Sequence, residues 1–136
     1  MKIVLDTNCL VNVIMPGSFN NDIWQTFRAG KYMLCVTNEI LFEYHEILAK
    51  RYNNLIANTI LKELMETPNI EYVNPAYRFN LITADPDDNK FVDCAISSGA
   101  TYIVSNDRHF SELRHYDFPK VDVCKLSEFL NIARTL

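Results

Sequence analysis

Four acidic side chains stand where an apolar stretch gives way to a helix start, or near the buried face of a helix: Asp6, Glu43, Asp88 and Asp107. Carboxylates brought close together raise one another's pKa and cost stability. A divalent cation removes that cost and inverts the local electrostatics. All-oxygen ligands with no His or Cys nearby suit Mg²⁺ or Mn²⁺. A hard cation held this way serves phosphoryl chemistry: it lowers the pKa of a water and stabilises charge on a scissile phosphate. Asn8 and Ser105, each two residues from an acid of the set, are placed to orient that water or a carboxylate.

Such chemistry requires elements that carry the acids to one place. Ile3-Val4-Leu5 is a short, unbroken apolar run, which reads as a strand buried on both faces of a parallel sheet. Asp6 follows at once, and a helix from Asn8 to Ile14 is expected after it, stopped by Pro16-Gly17. Further helices are expected over 20–29, from Thr37 or Asn38 to about Arg51, and over 55–65. Strands are expected over 32–36 and 70–73, with 76–84 a loop of some strand character. Asp85, as N-cap, and Pro86 open a helix that reaches Ser98 and stops at Gly99. Thr101 to Val104 is a second buried strand, and it ends in Ser105-Asn106-Asp107 much as the first ends in Asp6. A brief helix from His109 to Leu113, a strand over 121–124 and a helix over 126–134 complete the chain. Strands alternating with helices predict an α/β fold with a parallel, helix-flanked sheet, whose chemistry lies at the C-terminal strand edge.

Helical angles sort the remaining acids. In the helix after Asn38, the stripe is Ile40, Leu41, Tyr44, Ile47 and Leu48. Glu43 lies about 100° from its centre, Glu39 about 140° and Glu46 about 160°. Glu43 is thus nearest the buried face, with Glu39 one turn away as the alternative. Phe42 falls on the polar side, which suits a subunit contact. In the helix after Asp85, Asp88 lies within about 10° of the stripe formed by Phe91, Val92, Ala95 and Ile96, while Asp87 and Asp93 lie more than about 100° away. Each acid also has an ordinary use. Asp6 and Asp107 could cap helices, Asp88 could favour a helix dipole, and Glu43 could be plain surface.

The chain has 136 residues, the size of one domain spanning 1–136, with a net charge of −4 and 22% charged residues. No global basic field marks a nucleic-acid coat protein. Cys9, Cys35, Cys94 and Cys124 are widely spaced in apolar surroundings, and no histidine pairs with them at zinc spacing. With no signal peptide and no membrane-spanning run, a reduced, cytoplasmic protein is expected. The basic clusters are Lys50-Arg51, Arg108-His109 and Arg114-His115. Only Arg108 and His109 adjoin an acid of the set, so they are the candidate phosphate contacts.

Val4-Leu5-Asp6-Thr7-Asn8 resembles the opening motif of PIN domains. So do Thr37-Asn38-Glu39-Ile40-Leu41-Phe42-Glu43, Asp85-Pro86-Asp87-Asp88-Asn89-Lys90-Phe91 and Gly99 through Asp107, in order and spacing. The resemblance implies a three-layer α/β/α fold and metal-dependent cleavage of RNA. It maps the family's acidic quartet onto Asp6, Glu43, Asp88 and Asp107. Asp6, Asp88 and Asp107 would bind one or two Mg²⁺ or Mn²⁺ ions, and Asn8 would match the polar residue after the first acid. Many relatives are toxins of the VapC type restrained by an antitoxin, and small relatives often form homodimers. Two other readings remain: a non-catalytic relative that binds RNA or protein, and a Mg²⁺-dependent phosphatase of Rossmann-like fold. Asn8 counts against the phosphatase, which usually carries a second Asp at that position.

Overall fold

The structure, a computed structural model, describes residues 1–136. Strands β1 (Lys2–Leu5), β2 (Met33–Val36), β3 (Ile70–Tyr72), β4 (Tyr102–Val104) and β5 (Val123–Cys124) form one sheet in the order β3-β2-β1-β4-β5, with every pair parallel. Helices α1 (Thr7–Val13), α2 (Asn21–Arg28), α3 (Asn38–Arg51), α4 (Asn54–Glu66), α5 (Asn89–Ser98) and α6 (Leu126–Ala133) complete a three-layer α/β/α arrangement. No helix is long and apolar enough to cross a membrane.

β1 is central because its residues can be nothing else. Ile3, Val4 and Leu5 are buried on both faces, and β1 pairs with β2 on one side and β4 on the other. The chain winds outward from β1 to β2 and β3, then crosses back to β4 and β5. The reversal falls between β1 and β4, the topological switch point where open α/β sheets bind their ligands. α5 packs against β1, β2 and β4, while α3 is clasped to α4 and also meets α1 and α5. Thr37 caps α3, its hydroxyl accepting from the Ile40 N–H at 3.1 Å. Gly99 ends α5 at φ 69°, a left-handed position that favours glycine.

Two expectations are corrected here. The helix predicted from Asp85 does not begin as an α-helix: Pro86–Asp88 forms a 3₁₀ turn capped by Asp85, and α5 begins at Asn89. Likewise Arg108–His115 is 3₁₀ throughout, one residue earlier and two later than the helix expected there. The segment 76–84 joins no strand. It is held by side chains that imitate strand pairing instead. The Asn89 amide accepts from Ile82 N–H and donates to Ile82 C=O, both at 2.9 Å. Asp93 accepts from Phe79 N–H at 3.1 Å, and Glu112 accepts from the N–H groups of Thr83 and Ala84.

That arrangement also corrects Asp93, which the helical angles place away from the buried stripe. It is buried, because the strap over 79–83 covers that side of α5. Burial lifts its carboxyl above the ordinary range, against the opposing pull of the Phe79 N–H. Replacing Asn89 by alanine leaves two buried backbone groups of Ile82 unpaired, so Asn89→Ala is expected to cost about 2 kcal/mol. Urea unfolding checks the cost. Hydrogen exchange at Ile82 locates it, and unchanged protection there would contradict the strap's dependence on Asn89.

Candidate active site

Asp6 leaves the C-terminal end of β1, where its N–H donates to Val104 C=O at 3.0 Å and so ties the two strand ends together. It occupies the N-cap position of α1, yet its carboxylate caps nothing. Instead Asp6 Oδ2 accepts from the buried Ser105 hydroxyl at 2.7 Å, and Ser105 Oγ accepts from Asp107 N–H at 2.9 Å. Ser105 thus couples the acids that follow β1 and β4. Burial raises the Asp6 carboxyl, the Ser105 hydrogen bond lowers it, and the nearby charge of Asp107 raises it again; the net shift is upward. Asp6, Asn8, Asn106 and Asp107 line a cavity of about 280 Å³ that opens at the switch point. Cys9 lines it too, but burial pushes its thiol up to about 12, so it offers no thiolate.

Asp88 enters from the other side. The turn over 86–88 leaves it 8% exposed at the start of α5. Its carboxyl is pushed up to about 7, first by burial and then by the charges of Asp107, Asp85 and Asp6. Asp87 points out to Lys90 instead, and that cation holds its carboxyl below the ordinary range. Of these neighbours, Asp88 is the one gathered with Asp6 and Asp107.

Glu43 stands at the rim. One carboxylate oxygen accepts from the Thr7 hydroxyl, and the other is 2.8 Å from Lys90 Nζ. The next residue, Tyr44, is fully buried and donates its hydroxyl to Leu5 C=O. α3 is thus pinned to the β1–α1 junction by two consecutive side chains. Glu39 is exposed and pairs with Arg78, remote from the cluster's interior.

His109 departs from expectation. Its Nδ1 lies 3.3 Å from Asp107 Oδ1, 3.5 Å from Asp88 Oδ2 and 4.0 Å from Asp85 Oδ2. The all-oxygen character expected of the cluster is therefore corrected: an imidazole sits among the acids. The cause is local, since Asp107 Oδ1 accepts from the His109 N–H at 2.9 Å and the resulting tight turn folds the ring back over the carboxylates. Arg108 alone stays exposed. It lines a neighbouring groove of about 690 Å³ of mixed charge, with Arg114, Lys120 and Lys125 beside Asp107, Asp117, Asp122 and Glu128.

A profile of the PIN domain matches residues 2–109. The chain belongs to the PIN-domain family. Two solved structures share its fold. One is a chain of VapBC2 from Rickettsia felis, crystallised bound to a DNA fragment from the promoter, at 17% identity and a TM-score of 0.62, covering 92% of this chain and 98% of that one. The other is a chain of DNA-bound VapBC from Salmonella typhimurium, at 17% identity and a TM-score of 0.61, covering 93% and 98%. No curated protein sequence matches.

Within this PIN domain, sequence reasoning passed over Lys90, Asp85 as a member of the cluster, and Asn106. Lys90 carried one local signal, its i,i+3 spacing from Asp87. Asn106 carried none, because its carboxamide accepts from Leu126 N–H, twenty residues on, at 3.0 Å.

Proposed function

We propose that this PIN domain is a metal-dependent endoribonuclease, with Asp6, Asp88 and Asp107 as the residues that hold Mg²⁺ or Mn²⁺. The observation that carries the reading is the convergence of these three acids at the switch point, with Asp88 Oδ2 buried and without a hydrogen-bond partner. A buried carboxylate oxygen without a donor is costly unless a cation meets it, so the residues present fit the ion. A divalent cation at this position supplies charge stabilisation to a phosphodiester and acidifies water.

The chain's own residues do the rest. Ser105 holds Asp6 in one orientation and so fixes where the β1 carboxylate faces. Asn8 borders the cavity and can accept or donate to an attacking water. Glu43, buttressed by Thr7 and Lys90, assists as a positioning group at the rim. In the reaction a water oxygen bonds to phosphorus, the P–O ester bond opposite breaks, and a proton reaches the departing oxygen. Arg108, exposed beside Asp107, can meet a flanking phosphate, a positional contact with no sequence preference.

The likeness to VapBC chains supports an antitoxin as partner, and with it the toxin role in a cytoplasmic toxin–antitoxin pair. Phe42, 80% exposed on α3, supports a homodimer contact. The test is cleavage of mixed labelled RNAs by the purified protein with Mg²⁺, Mn²⁺ or EDTA, beside Asp6→Asn. Cutting that requires metal and falls at least about a hundredfold in Asp6→Asn is the expected result. Cutting that survives both EDTA and the substitution overturns the proposal.

A further inference from the structure

The acids of the cluster belong to two flanks of the molecule. Asp6 and Asp107 follow β1 and β4, which pair directly and are tied at their ends by the Asp6 N–H and the Ser105 hydroxyl. Asp85 and Asp88 lie on the turn that opens α5. Asn89 and Asp93 hold the strap over 79–83 to α5, so strap, turn and helix form one piece. Asp88 and Asp107 meet across the gap between the flanks, with carboxylate oxygens 3.5 and 3.3 Å from the same His109 nitrogen. Like charges held this close press the flanks apart when no ion lies between them.

Two contacts oppose that pressure. In the core, Phe91 of α5 meets Phe110 of the 3₁₀ segment edge-on, with centroids 6.4 Å apart and both rings 1% exposed. At the surface the link is Glu112. Its Oε1 accepts from the Ala84 N–H at 2.8 Å, and its Oε2 accepts from the Thr83 N–H at 3.1 Å and the Thr83 hydroxyl at 3.0 Å. Every hydrogen bond between 79–90 and 105–115 ends on this one carboxylate.

The 3₁₀ geometry explains the placement. Residues three apart eclipse in such a helix. His109 and Glu112 therefore share a face, the first set against Asp88 and the second against Thr83 and Ala84. Ala84 immediately precedes Asp85, which caps the turn that carries Asp88. The donors of Thr83 and Ala84 hold the Glu112 carboxyl below its ordinary range, so these bonds are charge-assisted.

We propose that Glu112 is a positioning residue for the metal centre: it latches the Asp85–Asp88 turn to the segment after Asp107 and so fixes the gap that an ion must fill. The proposal rests on reading the acidic cluster as a metal centre. Glu112 itself touches neither ion nor RNA. Groups that support ligands in this way carry about tenfold or more of metal affinity.

The probe is Mn²⁺ with metal-free protein and no RNA, the free ion followed by electron paramagnetic resonance in the cold, where circular dichroism shows each variant folded. Glu112→Ala should weaken Mn²⁺ binding about tenfold or more and speed amide exchange at Thr83 and Ala84. Glu112→Gln keeps one acceptor oxygen and should fall between Glu112→Ala and the parent. Asn53→Ala is the stability control: it removes the N-cap of α4, away from the cluster, and should lower the unfolding midpoint with Mn²⁺ affinity unchanged. In cleavage, Glu112→Ala should lose rate at low Mn²⁺ and regain most of it at saturating Mn²⁺, with KM for RNA unchanged. Mn²⁺ affinity of Glu112→Ala within about twofold of the parent, well short of that support, overturns the proposal alone, as does an equal loss of affinity in Asn53→Ala. A parent that binds no Mn²⁺ overturns the nuclease reading as well.

Discussion

Asp88→Asn is expected to abolish the proposed RNA cleavage and to make the metal-free protein more stable. Both effects come from one carboxylate. Asp88 is buried, unsatisfied at Oδ2 and surrounded by Asp6, Asp85 and Asp107. Its folded-state carboxyl is pushed up to about 7 from an ordinary value of 3.8, first by burial. The native state therefore keeps a proton that the unfolded chain loses. Across the interval from about pH 4 to pH 7 the native state binds more protons than the unfolded state, so stability falls as pH rises and the penalty is complete above pH 7. Asparagine keeps the shape and cannot ionise. The variant should match the parent near pH 3.5 and exceed it at pH 8 by roughly 2–4 kcal/mol in EDTA, at 1.36 kcal/mol per pKa unit. Adding Mn²⁺ should raise the parent's midpoint and leave the variant's nearly unchanged. Cleavage should fall at least about a thousandfold, the scale of losing a group that holds the charge-stabilising ion. Thermal unfolding at both pH values checks the stability half, and single-turnover cleavage the other. A variant less stable than the parent at pH 8 would show that Asp88 is not strained, and one that cuts within tenfold of it that Asp88 is not functional.

The same placement is what made the candidate site legible in the sequence. Asp88 breaks the apolar stripe of its own helix, and a local pattern broken at no evident structural gain points to function. Asp6 and Asp107 were legible for a different reason: each follows an unbroken apolar run, and parallel strands deliver their C-terminal residues to one edge. What the sequence hides is whatever depends on contacts distant along the chain. Asp93 fell outside the apolar stripe because a helical wheel contains one helix, and the strap over 79–83 that covers it comes from elsewhere. The Asp85–Asp88 segment looked α-helical because Pro at a helix start suits α and 3₁₀ alike. The tighter turn still feeds straight into α5, so Asp88 keeps its inward direction. His109 read as a candidate phosphate contact because, with Arg108, it adjoins Asp107; only the turn closed by Asp107 brings its Nδ1 onto the acids.

Lys90 is the residue on which the rim depends, and nothing in the chain's hydrophobic pattern singles it out. Its side chain is 8% exposed, with Nζ 2.8 Å from Glu43 and 2.8 Å from Asp87. Burial alone would lower its pKa, but the hydrogen bonds to Asp87 and Glu43 outweigh that and raise it, so the cation persists. Glu43 is thereby filled on both oxygens, by Lys90 and by Thr7, and it faces the charge of Asp6. Lys90→Met leaves Glu43, 21% exposed, without its counter-ion and beside like charge. Breaking such a pair from one side costs more than the pair is worth, so a loss of about 3 kcal/mol is expected, a fall of roughly 10 °C in midpoint for a chain of this size. The double variant Lys90→Met, Glu43→Gln removes the stranded charge together with its partner. It should recover most of the loss, with a coupling of at least about 1 kcal/mol in the cycle. Because Glu43 is occupied on both oxygens, Glu43→Gln alone should lower cleavage far less than Asp88→Asn does. Equal losses in cleavage would make Glu43 a direct ligand that exchanges Lys90 for the ion. Additive stabilities in the cycle would mean that Asp87, not Glu43, is the partner that fixes Lys90.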